Sequence, residues 1–242
     1  IDLIWVGRLG AAAVAGVGVA GTIVLLVQSM TMGLNMGLRA IVARLYGSGD
    51  IEEANHAVRQ SLTISAAYSI IMATVGILLA EPILEMMGMA PDVVSQGAPY
   101  LRINFMGMVT MTFFRSAEST MQGSGDSTSP MRITIFFRLF HIVLCPFLVF
   151  GWWFFPTLGV SGAALTGVLS QAVGSALGFW FLFSGRTRVR LTMKNYRIDT
   201  RMMWRILKVA LPASITAIER QFAQILLMGF MAPFGTFAVA GH

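Results

Sequence analysis

Charge is scarce in this sequence. Asp, Glu, Lys and Arg make up 12% of its 242 residues, about half the share of an ordinary soluble domain. The shortage is concentrated in blocks. No charged residue lies between Arg8 and Arg39, between Arg59 and Glu81, or between Arg138 and Arg186. Such blocks are too long for the core of a soluble protein. A helix needs roughly 20 apolar residues to cross the hydrocarbon layer of a bilayer, and the third block has room for two crossings. Lipid cannot satisfy free backbone groups, so spans are helices or closed barrels. The apolar runs are continuous rather than alternating, which selects helices. Cysteine is nearly absent as well. The single Cys145 excludes an intramolecular disulfide framework. No set of His, Cys, Asp and Glu has a recognisable metal-ligand spacing. No cleavable signal peptide is evident, and the chain begins at Ile1 inside an apolar stretch, so the expected N-terminus lies upstream.

What is present agrees with a membrane protein. Hydrophobic residues reach 56% and the mean hydropathy is +0.73. The net charge of +6 is unevenly placed. Eight of the 17 basic residues lie between Arg186 and Lys208, where Asp199 is the only acid. That clustering argues against a nucleic-acid partner and for a cytoplasmic loop beside anionic headgroups.

The apolar pattern predicts a stub at residues 1–7 and spans over 12–38, 61–80, 97–114, 133–152 and 159–183. A further span begins near Val209 and is still apolar at His242. Turn residues separate them: Gly47, Gly49 and Asp50; Gly123, Gly125, Asp126, Ser127 and Pro130; Pro156 and Gly159. Arg39, Arg44 and Arg59 surround one link, Arg115 and Arg132 another, and the basic cluster fills a third. These are alternate links, so they belong on one face, expected to be cytoplasmic. The segment from Gly10 to Gly16 is echoed from Gly235 to Gly241, each ending in Ala-Val-Ala-Gly. The echo falls where a second set of spans would start, and transporters are often built from such repeats. Chance small-residue packing is the alternative explanation.

These residues resemble the multidrug and toxic compound extrusion family over nearly the whole chain. The resemblance rests on Asp2 with Trp5-Val-Gly-Arg-Leu-Gly10, on Gly37–Ala43 followed by Gly47-Ser-Gly-Asp50, and on Gln122-Gly-Ser-Gly-Asp126 with Pro130. It continues through Pro146, Phe150-Gly151, Gly159-Val-Ser-Gly-Ala-Ala164, Pro212 and Ala240-Gly-His242. It implies an all-α polytopic membrane bundle, a six-helix lobe of a twelve-helix, two-lobe transporter. On that basis residues 1–185 form the N-terminal lobe with a truncated first helix, 186–208 the basic inter-lobe loop, and 209–242 the start of the C-terminal lobe. The implied protein is not an enzyme and has no cofactor beyond a coupling ion, H+ or Na+. It exports amphipathic or cationic organic compounds by alternating access across the bacterial inner membrane. Its partners are a small amphipathic substrate, the lipid bilayer and the C-terminal lobe of the same protein.

Several residues are candidates for that mechanism. Asp2 is an acid in a span, where carboxylates are costly and their pKa rises on desolvation. The resemblance places the family's ion-linked aspartate of helix one at this position; a solvated terminus is the other explanation. The family often carries an Asn and, four residues later, an Asp before the proline of helix five. Here His141 and Cys145 precede Pro146 on one helix face. His141 is a candidate proton carrier by residue type, or is a hydrogen-bonded packing residue. Loss of the oxygen ligand favours proton over sodium coupling. Gln28, Asn35, Arg138 and Cys145 are cavity-lining candidates, with Thr31 and Asn104 as further polar residues in spans. Met30, Met32 and Met36 flank them as adaptable apolar surface or simple packing. Arg115 and Glu118 have the spacing of a local ion pair. The small residues of the segment 11–21 read mostly as close helix contacts.

Two other functions fit parts of the pattern. A lipid-linked oligosaccharide flippase or polysaccharide exporter of related fold calls for more cationic cavity residues. A membrane enzyme needs a paired catalytic set; Cys145 with His141 is the sole candidate and lacks an orienting third group.

Overall fold

The computed structural model describes residues 11–151, 157–185, 187, 190–192 and 196–231, which form seven helices and no strand. They are α1 (Ala11–Gly47), α2 (Ile51–Met86), α3 (Pro91–Met106), α4 (Met108–Gly123), α5 (Thr128–Phe150), α6 (Gly159–Ser184) and α7 (Thr200–Met231). Among the described residues, four helices are long and apolar enough to cross a membrane: the Gly16–Gly47 part of α1, α2, α5 and α6.

Lipid-sized apolar helices are usually held together by small residues, since apolar surface alone has no preference for protein over lipid. This bundle follows that rule. A Cβ added to Gly33 of α1 would lie 2.1 Å from the Ser214 hydroxyl of α7. The crossing is also tied by the Ser214 hydroxyl, which donates to the Met30 carbonyl at 3.1 Å. At Gly162 of α6, an added Cβ would be 2.3 Å from the Leu148 carbonyl oxygen of α5. The predicted contact role of segment 11–21 holds at Gly16, whose Cβ would meet Gly97 and Val93 backbone atoms at 3.1 Å. It does not hold at Gly18 and Gly21, which have nothing within 4 Å.

Two connections share one design. Gly47-Ser-Gly-Asp50 and Gly123-Ser-Gly-Asp126 both turn through a glycine at φ +83°, Gly49 and Gly125. In each, the aspartate N–H donates to the carbonyl five residues back, Leu45 at 2.9 Å and Met121 at 3.0 Å. Each aspartate also caps the next helix: Asp50 accepts from the Glu53 N–H at 3.3 Å, and Asp126 from the Ser129 N–H at 3.0 Å. Side chains hold these turns at one end of the bundle. Arg39, near the end of α1, donates to Gln122 at 3.0 Å. Glu53 pairs with Arg205 of α7 at 3.1 Å.

The structure moves two predicted boundaries. The span expected over 97–114 is the middle of a longer path, α3 and α4, interrupted only at Gly107. There a Cβ would strike the Val168 side chain of α6 at 2.2 Å, so glycine lets the two helices approach. The basic loop expected to end at Lys208 ends instead before Thr200. Asp199 starts α7 by accepting from the Arg201 and Met202 N–H groups at 2.9 and 3.1 Å. Hydropathy missed this cap because the first turns of α7 are charged.

The linker before α7 is anchored on α2. The buried Gln60 donates to the Arg197 carbonyl at 2.6 Å and accepts from the Asp199 N–H at 3.1 Å. Thr63 and the Tyr196 hydroxyl are also hydrogen-bonded. His56 lies 3.1 Å from the Asp199 carboxylate. That bond, helped by the Met202 N–H, holds the Asp199 carboxyl below the usual aspartate value.

Candidate functional site

The candidate site begins with the pattern on α5. Ile133, Phe137, His141 and Cys145 recur every fourth residue and are all buried. Ile135, Phe136, Leu139 and Val143 on the other faces are more than half exposed, as expected of lipid-facing positions. His141 therefore belongs to the inward stripe. Arg138 stands beside that stripe rather than on it, exposed, with its guanidinium 5.2 Å from the Phe137 ring centre. At 1.5 Å per residue, Arg138 is about 15 Å along the helix from Thr128, well inside the apolar segment.

Between α5 and its neighbours lies a cavity of about 340 Å³. That volume is at the small end of the range for organic-ligand pockets. α1 lines it with Gly21, Val24, Leu25 and Gln28. Tyr100 and Asn104 of α3 and Met111, Phe114 and Arg115 of α4 form another wall. α5 supplies Phe137, Arg138 and His141, and α6 supplies Ala163, Ala164, Gly167 and Gln171. Phe114 and Phe137 meet edge to face, ring centres 5.0 Å apart, which fixes the aromatic side of the wall. The small residues of α6 keep the space open: a Cβ on Gly167 would come within 3.8 Å of the His141 ring.

Cations outnumber acids here. No Asp or Glu is among the described lining residues. The Arg115 guanidinium is 3.1 Å from Glu118, the local pair expected from their spacing. Glu118 also accepts from Gln122 at 3.2 Å.

Of the sequence candidates, Gln28, Arg138 and His141 come together at this cavity, with Asn104 beside them. Asn35 and Cys145 are not among its lining residues. Asn35 is buried in a network between helices: its amide donates to the Thr31 carbonyl at 2.8 Å, and its carbonyl oxygen faces the Ser116 hydroxyl at 3.5 Å. Ser116 in turn meets Ser65 of α2 at 3.1 Å. Cys145 is wholly buried in an apolar cluster with Val17, Ala20, Val149 and Val160. The i, i+4 face shared with His141 is real, but one turn along it the cavity has closed. Asp2 and the repeat at 235–241 lie outside the described residues. Met30, Met32 and Met36 are exposed, Met30 on nearly the opposite face of α1 from the other two.

The sequence reading missed Tyr100, Phe114, Phe137 and Gln171 as lining residues. Aromatics in an apolar run have no signature that separates cavity from core. Gln171 was the better clue, as the only amide in the charge-free run from Arg138 to Arg186.

Comparison with known proteins agrees with this architecture. The family model MatE matches residues 1–147. The probable multidrug resistance protein YoeA of Bacillus subtilis is 28% identical over 100% of this chain and 53% of its own length. A FAD transporter of Shewanella oneidensis is 23% identical over 99% of this chain and 53% of its length. Among solved structures, a MOP superfamily transporter from Pyrococcus furiosus, described as having a binding pocket of reverse polarity, superimposes with a TM-score of 0.88. It is 26% identical, over 99% of this chain and 52% of that one. The chain spans about half the length of the curated relatives it matches. With its helical bundle, its cavity and a family match over more than half its residues, the chain belongs to the MatE family of membrane transporters.

Proposed function

We propose that this chain is the N-terminal lobe and the start of the second lobe of an exporter of amphipathic organic compounds, driven by exchange for a cation. The reading rests on one observation above all. In a bundle with little charge, Arg138 and His141 meet at a cavity between five helices, at mid-span. Ionisable groups at that depth are costly and mark substrate or ion paths. The chain's likeness to a probable multidrug resistance protein supports export of organic compounds. Residues 186–199 bridge the lobes ahead of α7, and the links 47–51 and 123–128 face the cytoplasm of a plasma membrane, as the basic residues favour.

Coupling is assigned to protons over sodium. His141 is a titratable group in the wall, whereas no carboxylate is among the described lining residues to serve as a hard ligand for sodium. Asp2 is the proposed second carrier. Proton exchange at His141 would alter the charge of the cavity wall and bias the lobes between inward- and outward-open states.

The test uses the complete protein in everted membrane vesicles with fluorescent organic ions added outside, so that export reads as uptake into the lumen. Export should stop when the proton gradient is collapsed and persist when only the sodium gradient is removed. Export that survives loss of both gradients overturns the coupling. Asp2→Asn and His141→Gln should each cut export at least tenfold while leaving protein levels unchanged; full activity in either removes that residue from the mechanism.

A further inference from the structure

We infer that the cavity selects organic anions with an aromatic or apolar body, rather than organic cations. The inference deepens the export reading and rests on it only for the direction of movement.

The charges carry the argument. Arg115 and Arg138 line the cavity, and the described lining residues include no acid. Arg115 is engaged by Glu118, so its charge is largely balanced. Arg138 is different: it lies over the neutral ring of Phe137, and no carboxylate is paired with it among the described residues. The site therefore presents one unbalanced guanidinium well inside an apolar segment. Coulomb interactions there are stronger than in bulk water. An organic cation entering this space meets repulsion and no counter-charge among the described lining residues. A carboxylate, sulfonate or phosphate meets a planar fork of donors suited to bidentate binding.

The remaining wall suits the rest of such a molecule. Gln28, Asn104 and Gln171 offer neutral hydrogen-bonding groups. Tyr100, Phe114 and Phe137 add aromatic surface to the wall. Phe137 also carries Arg138 as its chain neighbour, so a ring stacked there has its acidic group within reach of the cation. The volume of about 340 Å³ lies within the range of organic-ligand pockets.

The experiment measures binding and transport separately, with the complete protein. Fluorescence anisotropy in detergent gives affinities for carboxyfluorescein, an anion, and ethidium, a cation. The expected result is tighter carboxyfluorescein binding, weakened about tenfold in Arg138→Gln, as for loss of a charge-assisted contact. Arg138→Lys should recover part of that loss by retaining the charge, a rescue that a purely structural role would not give. Preference for ethidium in the unaltered protein overturns the inference, as does binding of neither probe. An equal weakening of both probes in Arg138→Gln also overturns it. Transport in vesicles then separates the two readings: anion binding without export supports the cavity assignment and sinks the exporter. A fluorescent anionic phospholipid that moves between leaflets in an Arg138-dependent way supports the same charge selection and makes a lipid headgroup its source.

Discussion

Two neighbouring stretches of α1 are alike in composition and unlike in surroundings. Residues 21–28 contain a glycine and an amide, Gly21 and Gln28, and so do residues 31–37, with Gly33, Gly37 and Asn35. Gly21 and Gln28 line the cavity, and nothing stands within 4 Å of a Cβ built on Gly21. Gly33 is pressed onto Ser214, a Cβ built on Gly37 would lie 3.0 Å from the Ala210 nitrogen, and Asn35 is hydrogen-bonded between helices. One stretch holds space open and the other closes it. A polar residue in a span is thus no marker of a site by itself; its neighbours decide whether it faces a ligand or another helix.

The same substitution at the two glycines should give opposite results. Gly33→Ala places a methyl group 2.1 Å from the Ser214 hydroxyl and 2.3 Å from its backbone nitrogen. Overpacking of that kind costs about 1–3 kcal/mol, and the backbone contact puts this site at the upper end. Thermal unfolding of the purified protein should show a clear drop; an unchanged midpoint would mean that α1 and α7 do not cross here.

Asn35→Leu should cost less. Hydrogen bonds between membrane helices average roughly 0.6 kcal/mol and reach about 1.7. The unfolding midpoint should fall modestly and affinity for an organic ion should stay the same. A large loss of affinity with intact stability would return Asn35 to the cavity wall.

Gly21→Ala is expected to change stability by no more than about 1 kcal/mol, since alanine suits a helix better than glycine and meets no neighbour. Its added volume should weaken binding of a bulky probe a few-fold in an anisotropy titration. If Gly21→Ala unfolds the protein instead, the openness of this stretch is wrong.

The smallest effect lies outside the membrane segments. Asp199 has a lowered pKa, held first by the His56 hydrogen bond. A depressed carboxyl stabilises the fold fully above its ordinary value, and that contribution disappears as pH falls through the lowered one. Protease cutting of the linker near residues 196–199 should therefore rise only at acid pH below the ordinary aspartate range. In Asp199→Asn the linker should be cut more readily already at neutral pH.

Much of the bundle is legible in the chain because lipid imposes a simple rule. Charge-free blocks mark α1, α2, α5 and α6, and the Gly-Ser-Gly-Asp turns mark two of their connections. α3 and α4 are harder, because Arg102, Arg115 and Glu118 interrupt the hydropathy. Arg115 is held by Glu118, a local pair visible in the spacing. Arg102 is held by Glu81 of α2 at 3.1 Å, a pairing that makes the charge tolerable yet lies outside a span-length hydropathy window. The start of α7 is hidden for the same reason, in the basic residues after the Asp199 cap. At the site, Arg138, His141 and Gln28 were visible as rare polar residues in apolar runs. The aromatic wall was not, because phenylalanine looks the same in a core and in a cavity.

The sequence by itself determined that the chain is helical and built for a bilayer, since long uncharged runs have no other way to satisfy their backbone. It also determined which few ionisable side chains those runs contain. Only the tertiary structure decided that Arg138 and His141 share a cavity while Asn35 and Cys145 do not. That outcome depends on where glycines let helices touch, and close approach is a property of pairs of helices that no single segment encodes.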